Sequence, residues 1–251
     1  MSTEAERDGW PEGYDLVILD EVDSTMTEAA RRAGLIDRPT WIMARHQTAA
    51  RGRRGRSWAH PAGNLAATLV FHPDATPAEA ARRSFLAANA LFEALAIYVD
   101  RGLMGLKWPN DVLLSGGKVA GILLESAGTG PFIDWLSIGV GVNLVTVPVA
   151  AKGDFPPVSL LGEGGESVAP EVFLTTLASA YATQEDKLRT FGFARIRADW
   201  LRHAVRLGET ITARTARDEI TGIFETVDDD GALVLREGGT RHVIPAADVY
   251  F

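Results

Sequence analysis

Apolar and polar positions divide the chain into segments of two periodicities. Tyr14 to Val22 (YDLVILDEV) predicts a strand, being rich in Val, Leu and Ile. D-S-T-M-T-E-A-A-R-R-A-G follows; Thr25 and Glu28 have capping-box spacing and Gly34 stands where a left-handed residue would end a helix. A second strand around TWIMARH leads into the basic loop QTAARGRRGRSW, and LAATLVFH makes a third. From Pro77 to about Asp100 the period becomes helical, with Phe85, Ala88, Leu91, Phe92, Leu95 and Val99 on one broad face. LKWPNDVLL, KVAGILLESA and FIDWLSIGVGVNL read as three strands joined by short turns. KVAGILLE is apolar on both pleat faces, so a central strand covered on both sides is expected.

Val145 to Val168 is rich in Pro, Gly and Ala without periodicity and predicts a long mobile loop. Helical spacing returns from Pro170 to about Phe191, carrying Phe173, Leu177, Tyr181 and Leu188. Beyond about Arg206, ETITART, EITGIFETVD, GALVLRE and RHVIPAADVYF are short strands with turn signals, the pattern of a small barrel. The expectation is an α+β chain: a mixed sheet flanked by helices over residues 1–205, then a β module over 206–251.

Composition narrows the function classes. A net charge of −8 and a pI near 5.2 argue against a protein whose main task is holding nucleic acid. With no cysteine, disulfides, thiolate zinc sites and cysteine nucleophiles are excluded. MSTEAERDGWPEG contains no signal-peptide core, and AANALFEALAIYV is short and broken by Asn89 and Glu93. A soluble cytoplasmic protein without membrane partners is expected.

Arg51-Gly52-Arg53-Arg54-Gly55-Arg56 puts four guanidiniums within six residues. The planar fork of Arg suits phosphate, and the glycines relax the backbone. Such a run equally fits a solvated basic loop or a nucleic-acid patch; its place between two strands of an acidic protein favours one small polyanion. Lys107-Trp108-Pro109-Asn110-Asp111 turns the chain while presenting an amide and a carboxylate, for Mg²⁺ or for a proton from an amine, or is a plain hairpin turn. Gly116-Gly117-Lys118-Val119 lacks the Ser/Thr of a P-loop; Lys118 at the start of a buried strand calls for an anion or is solvated there. Gly139-x-Gly141-x-Asn143 is followed by a Pro-containing loop, not a helix, and fails as a dinucleotide fingerprint. The five histidines have no metal-ligand spacing.

Taken in order, D-S-T, Q-T-A-x-R-G-R-R-G-R-x-W, K-W-P-N-D, G-K-x-A-G-I-L-x-E and G-x-G-x-N ahead of a small β module resemble the biotin–protein ligases, across residues 14–145 and less closely beyond. The resemblance implies a class II synthetase-like catalytic domain with an SH3-like C-terminal barrel. It implies that biotin and Mg-ATP form biotinyl-5′-AMP and pyrophosphate, after which a lysine of a carrier domain of a biotin-dependent carboxylase, such as acetyl-CoA carboxylase, takes the biotin. No tightly bound prosthetic group is implied. By position, Ser24, Thr25, Met26, Gln47, Arg51, Gly52, Arg53, Lys118 and Gly121 are expected at biotin. Arg53, Arg56, Trp58, Asn110, Lys118 and Asn143 are expected at the adenylate. Arg53, Lys118 and Asp111 are the expected catalytic residues, with Asp111 serving Mg²⁺ or the amine. Pre-placed cations answer the charge that moves between phosphate oxygens, each aimed donor contributing roughly 3 kcal/mol.

Two positions depart from the family pattern: Ala50 stands where it usually has Gly, and Met26 where it commonly has Asn. About 20 residues precede D-S-T, too few for the helix-turn-helix domain of some members, so no DNA binding by that route is expected. A monomer or homodimer is expected. The alternatives are a lipoate or octanoate ligase or transferase of related fold, and a nonenzymatic nucleic-acid-binding module.

Overall fold

The computed structural model describes residues 8–56, 58–147, 155–215 and 217–251. A seven-stranded mixed sheet has the order β1-β2-β3-β7-β6-β5-β4. Its strands are β1 (Asp15–Val22), β2 (Thr40–Gln47), β3 (Leu65–Phe71), β4 (Met104–Lys107), β5 (Asp111–Leu114), β6 (Gly117–Ala127) and β7 (Trp135–Val142). Only β1 and β2 pair in parallel, joined through α1 (Thr25–Arg32); the remaining neighbours are antiparallel.

Alternation along β3 sorts the two faces. Leu65, Ala67, Leu69 and Phe71 join the main core with α3 (Arg83–Leu95) and α4 (Pro170–Phe191). On the other face Val70 packs with Ala29 and Ala33 at the α1 end, Thr68 bonds Thr25, and Ala66 lines an open cavity. One face is therefore filled by helices and the other is only partly covered. β6 is internal as expected, but it is not covered on both sides: α3 packs against one face and the cavity opens on the other.

Local chemistry departs from the sequence expectations at several places. Ser24 is the N-cap of α1, and its side chain makes no capping bond. Thr25 and Gln47 engage each other and Glu28 pairs with Arg31 and Arg32, so no capping box forms. Gly34 lies inside a 3₁₀ turn, Ala33–Leu35, with no positive φ. The long helix from Pro77 is two: α2 (Pro77–Ala81), closed by a capping box between Thr76 and Glu79, and α3. Val99 lies past the end of α3, where the chain tightens into turns.

LKWPNDVLL is a hairpin, not one strand: Lys107 pairs with Asp111 across Trp108-Pro109-Asn110, and the Trp108–Pro109 peptide is cis. The helix α5 (Phe193–Leu201), absent from the periodicity reading, buries Phe193, Ile196 and Trp200. Residues 148–154 of the expected loop lie outside the described residues. Beyond them the chain is tied down: Lys118 N donates to Pro156 O and Val158 N to Lys118 O along a short parallel bridge, and Leu160 is fully buried.

The C-terminal module is a five-stranded antiparallel sheet, β11-β10-β9-β8-β12, formed by β8 (Thr210–Arg214), β9 (Glu219–Val227), β10 (Leu233–Glu237), β11 (Thr240–Ile244) and β12 (Asp248–Tyr250). One hydrophobic core runs through both modules. The 228–231 turn docks on the larger sheet's elements. There Trp108 Nε1 donates to Gly231 O at 3.0 Å, while Arg82 and Arg197 meet Asp230 and Asp229. No described helix is long and apolar enough to cross a membrane.

Candidate functional site

The half-covered sheet face and the arginine loop enclose a cavity of about 770 Å³. Every residue expected at the ligands borders it: Ser24, Thr25, Met26, Gln47, Arg51, Gly52, Arg53, Arg56, Trp58, Asn110, Asp111, Lys118, Gly121 and Asn143. A larger surface hollow, about 890 Å³ between α3 and α4, includes Ile97, Val172 and Thr176; of its charged residues, Arg101 and Glu93 pair with each other and Glu171 pairs with Arg45. It gathers no convergent set of reactive groups.

The floor is built of small residues in register. Ala66, Gly141 and Gly121 face one another across β3, β7 and β6. A Cβ at Gly141 would lie 2.6 Å from the Trp58 indole, and one at Gly139 2.6 Å from Met26 Sδ. The G-x-G of β7 thus exists so that an indole and a thioether can rest on bare backbone. Met26 is buried.

At one end, the Gln47 side-chain carbonyl accepts from Thr25 N at 2.8 Å and from Thr25 Oγ1 at 3.2 Å, and Thr68 Oγ1 donates to Thr25 Oγ1 at 2.8 Å. This ties the start of α1 to β2 and β3 and leaves the Gln47 amide as a donor at the cavity edge.

The arginine loop closes on itself: Trp58 N donates to Ala50 O and Gly52 N to Arg56 O. Arg54 and Gly55 have positive φ, 55° and 71°. Gly52, at φ −112°, uses no glycine-only conformation, so only Gly55 carries the backbone freedom expected of both. Arg51 makes a two-pronged pair with Glu125 of β6, at 2.5 and 2.8 Å. Arg53 Nη1 donates to Asn110 Oδ1 at 3.1 Å. Burial lowers the Arg53 pKa below the ordinary guanidinium value.

At the other end, Asp111 stands between two ammoniums. Lys118 Nζ is 2.6 Å from Oδ1 and Lys107 Nζ 3.7 Å from Oδ2. Lys118 also sits 5.5 Å from the Trp58 ring centroid, and Lys107 4.8 Å from that of Phe155. Burial lowers the Lys107 pKa. The anion that Lys118 was expected to need is Asp111, brought in by the hairpin turn. Asn110 Nδ2 donates to Ile122 O at 2.5 Å and Asn143 Nδ2 to Val158 O at 3.0 Å, so both amides already hold protein backbone.

Periodicity and motif reading missed Lys107, Phe155, Pro157, Asp248, Val249 and Tyr250, which also border the cavity. Lys107 stood in the K-W-P-N-D segment and could have been drawn from it. The other five carry no local signal; chain folding alone brings the last three across from the C-terminal module. Among the described residues no three His, Cys, Asp or Glu side chains gather as a metal site. Asp111, with an ammonium on each oxygen, does not fit a resident-metal ligand. Arg51, Arg53 and Arg56 border the cavity and the loop's arginines pair with internal carboxylates, which counts against the nucleic-acid alternative.

A mixed sheet holding two lysines and an arginine loop around one cavity defines a binding protein for a compact, anion-bearing small molecule. Residues 18–143 match the biotin/lipoate A/B protein ligase family, and residues 207–251 the biotin protein ligase C terminal domain. A biotin–acetyl-CoA-carboxylase ligase of Paracoccus denitrificans is 51% identical over 238 residues, covering 93% of this chain and 99% of that protein. The bifunctional ligase/repressor BirA of Bacillus subtilis (strain 168) is 29% identical over 249 residues, 94% of this chain and 74% of its own. A biotin protein ligase from Aquifex aeolicus, solved in complex with biotin and ATP, shares the fold with a TM-score of 0.81 at 23% identity, covering 94% and 98% of the two chains. The chain belongs to the biotin/lipoate A/B protein ligase family.

Proposed function

We propose that this protein is a biotin–acetyl-CoA-carboxylase ligase. In the first step a biotin carboxylate oxygen attacks the α-phosphorus of ATP; the Pα–O bond to the β-phosphate breaks and pyrophosphate leaves with the electron pair. In the second, a carrier-domain lysine amine attacks the acyl carbon of biotinyl-5′-AMP, AMP departs with the acyl–oxygen bond pair, and the amine gives up a proton. Residues 1–205 form the biotin and ATP domain, and 206–251 a C-terminal module that completes it.

The observation that carries this reading is the cluster of Arg53, Lys107 and Lys118 around the K-W-P-N-D turn, in the same cavity as the Thr25–Gln47 pair. Ser24, Thr25 and Gln47 supply donors and acceptors for the ureido ring, beside Met26, Arg51, Gly52 and Gly121. Trp58, Arg56, Asn110 and Asn143 line the adenylate side. Arg53 and Lys118 hold the carboxylate and α-phosphate oxygens as charge shifts between them. Asp111 orients Lys118, and Mg²⁺ enters with ATP as part of that substrate. Buried groups built to pair with a ureido ring reject a plain acyl chain.

Exchange of labelled pyrophosphate into ATP with Mg²⁺ and biotin, lipoate or octanoate tests the first step. The expected result is exchange with biotin alone, followed by a biotinyl mass gain on a carrier domain. Exchange with lipoate or octanoate instead would move the chain to the other branch of its family.

A further inference from the structure

The guanidiniums of the arginine loop all have partners inside the protein, and three of them gather around one carboxylate. Arg54 Nη1 and Arg56 Nη2 donate to the same oxygen of Asp248, at 2.6 and 2.9 Å, and Arg53 Nη1 lies 4.0 Å from the other. Arg53 also reaches the carbonyl of the preceding residue, Ala247, at 3.5 Å. Asp248 opens β12, comes from the C-terminal module, and lines the same cavity as Trp58 and Lys118.

Three guanidiniums around one carboxylate is an excess of donors. A carboxylate has two acceptor oxygens, whereas each non-bridging phosphate edge offers the same fork geometry with more charge behind it. The strand presenting the carboxylate is short and marginal, held by one buried side chain, Val249, after the buried Ala247. β12 is three residues long, stands at the edge of its sheet, and pairs with β8 alone through Asp248, Val249 and Tyr250. Short edge elements open at low cost.

We propose that Asp248 is an internal anion occupying the outer phosphate subsite of the ligand-free enzyme, from which the β- and γ-phosphates of ATP displace it. Asp248 thereby sets nucleotide affinity from the C-terminal module. The inference rests on reading the cavity as an ATP site. Its consequence is an exchange: Arg54 and Arg56 pass from Asp248 to phosphate, and β12 loosens as nucleotide binds. AMP, lacking the outer phosphates, does not drive that exchange.

Calorimetric titration of the whole protein and of Asp248→Asn with ATP plus Mg²⁺, AMP and biotin tests this. Asp248→Asn should bind ATP about fivefold more tightly, the scale of removing one repelling unit charge near the phosphates. Affinities for AMP and biotin should stay unchanged. Unchanged or weaker ATP binding by the variant overturns the proposal, since Asp248 would then be a plain support of the loop.

Trypsin gives a second readout, because the loop carries its own cleavage sites. Without nucleotide the variant should be cut after Arg54 and Arg56 faster than the parent, and ATP should restore protection; equal cutting counts against the exchange. Hydrogen exchange on the unaltered protein needs no variant. ATP, and not AMP, should expose the amides of residues 248–250 while protecting 52–56, and no ATP-specific change at 248–250 overturns the idea. Failure of the parent to bind ATP sinks both this and the ATP-site reading; binding without tightening in the variant sinks this one alone.

Discussion

Lys118 and Arg53 reach the cavity from different elements, and each is held by a neighbour of the K-W-P-N-D turn: Asp111 for the lysine, Asn110 for the arginine. Replacing either cation by Met removes a pre-placed charge without opening the main core. Biotin-dependent pyrophosphate exchange should fall about 10²- to 10³-fold, with Tm nearly unchanged. A loss of rate matched by a loss of fold would instead assign the pair a structural task. Another residue-scale effect concerns pH. His60 is buried, its Nε2–H donating to Asn64 O at 2.9 Å, and burial holds its pKa below the ordinary 6.5. Between that lowered value and 6.5 the unfolded chain binds the proton and the folded chain does not. Stability therefore drops as pH falls through this window and is regained above it. His203, stacked on Phe92 with ring centroids 3.9 Å apart, is also depressed by burial and adds in the same direction. Urea midpoints at pH 5.5 and 7.5 should differ less in His60→Gln than in the parent; an unaltered difference would put the dependence elsewhere.

Strand β7 acts as an element through what it lacks. Its two glycines make a groove in which Trp58 and Met26 lie, and the loop and helix that carry them are seated by that contact. Gly141→Ala should push the indole off the floor and weaken ATP binding about tenfold, ~1.4 kcal/mol, leaving biotin affinity nearly intact. Gly139→Ala should do the reverse, through Met26 at the biotin end. Paired calorimetric titrations check both, and equal effects of the two variants on the two ligands would refute the division of the floor. The hairpin β4–β5 is the other decisive element. By turning at Trp108-Pro109-Asn110 it sets Lys107 opposite Asp111 and brings Asp111 to Lys118.

At the scale of the whole molecule, the C-terminal module meets the larger sheet's elements at several places, two of which bear on the site. The 228–231 turn is anchored by Trp108 and Arg82, and β12 reaches the arginine loop. Trp108→Phe keeps most of the packing and leaves Gly231 O without its donor. Stability should decrease by about 1 kcal/mol, read as a lower urea midpoint with an unchanged slope. If the modules separate on this change, two unfolding transitions would appear in place of one.

Strand and helix periods, the arginine run, K-W-P-N-D and G-K-x-A-G were legible in the sequence because each is local chemistry: spacing selects the element, and residue type states the charge. They determined the α+β class, the position of most elements and many of the residues that line the cavity, though not Lys107, Phe155 or the three from the C-terminal module. Local signals misread the cap of α1, where Gln47, 22 residues from Thr25, competes for the group that a capping box would use. They also missed α5, whose buried residues pack against distant elements. Only the tertiary structure decided that Asp111 would pair with both lysines, that G-x-G would be the floor of a cavity, and that Asp248 would face Arg54 across 194 residues of chain. The Trp58–Gly141 and Arg54–Asp248 contacts join segments far apart in sequence, and no period or motif within a short stretch encodes which distant partner will satisfy a charge; Asp111 lies close to both lysines in the chain, and there the fold of the hairpin decides the pairing.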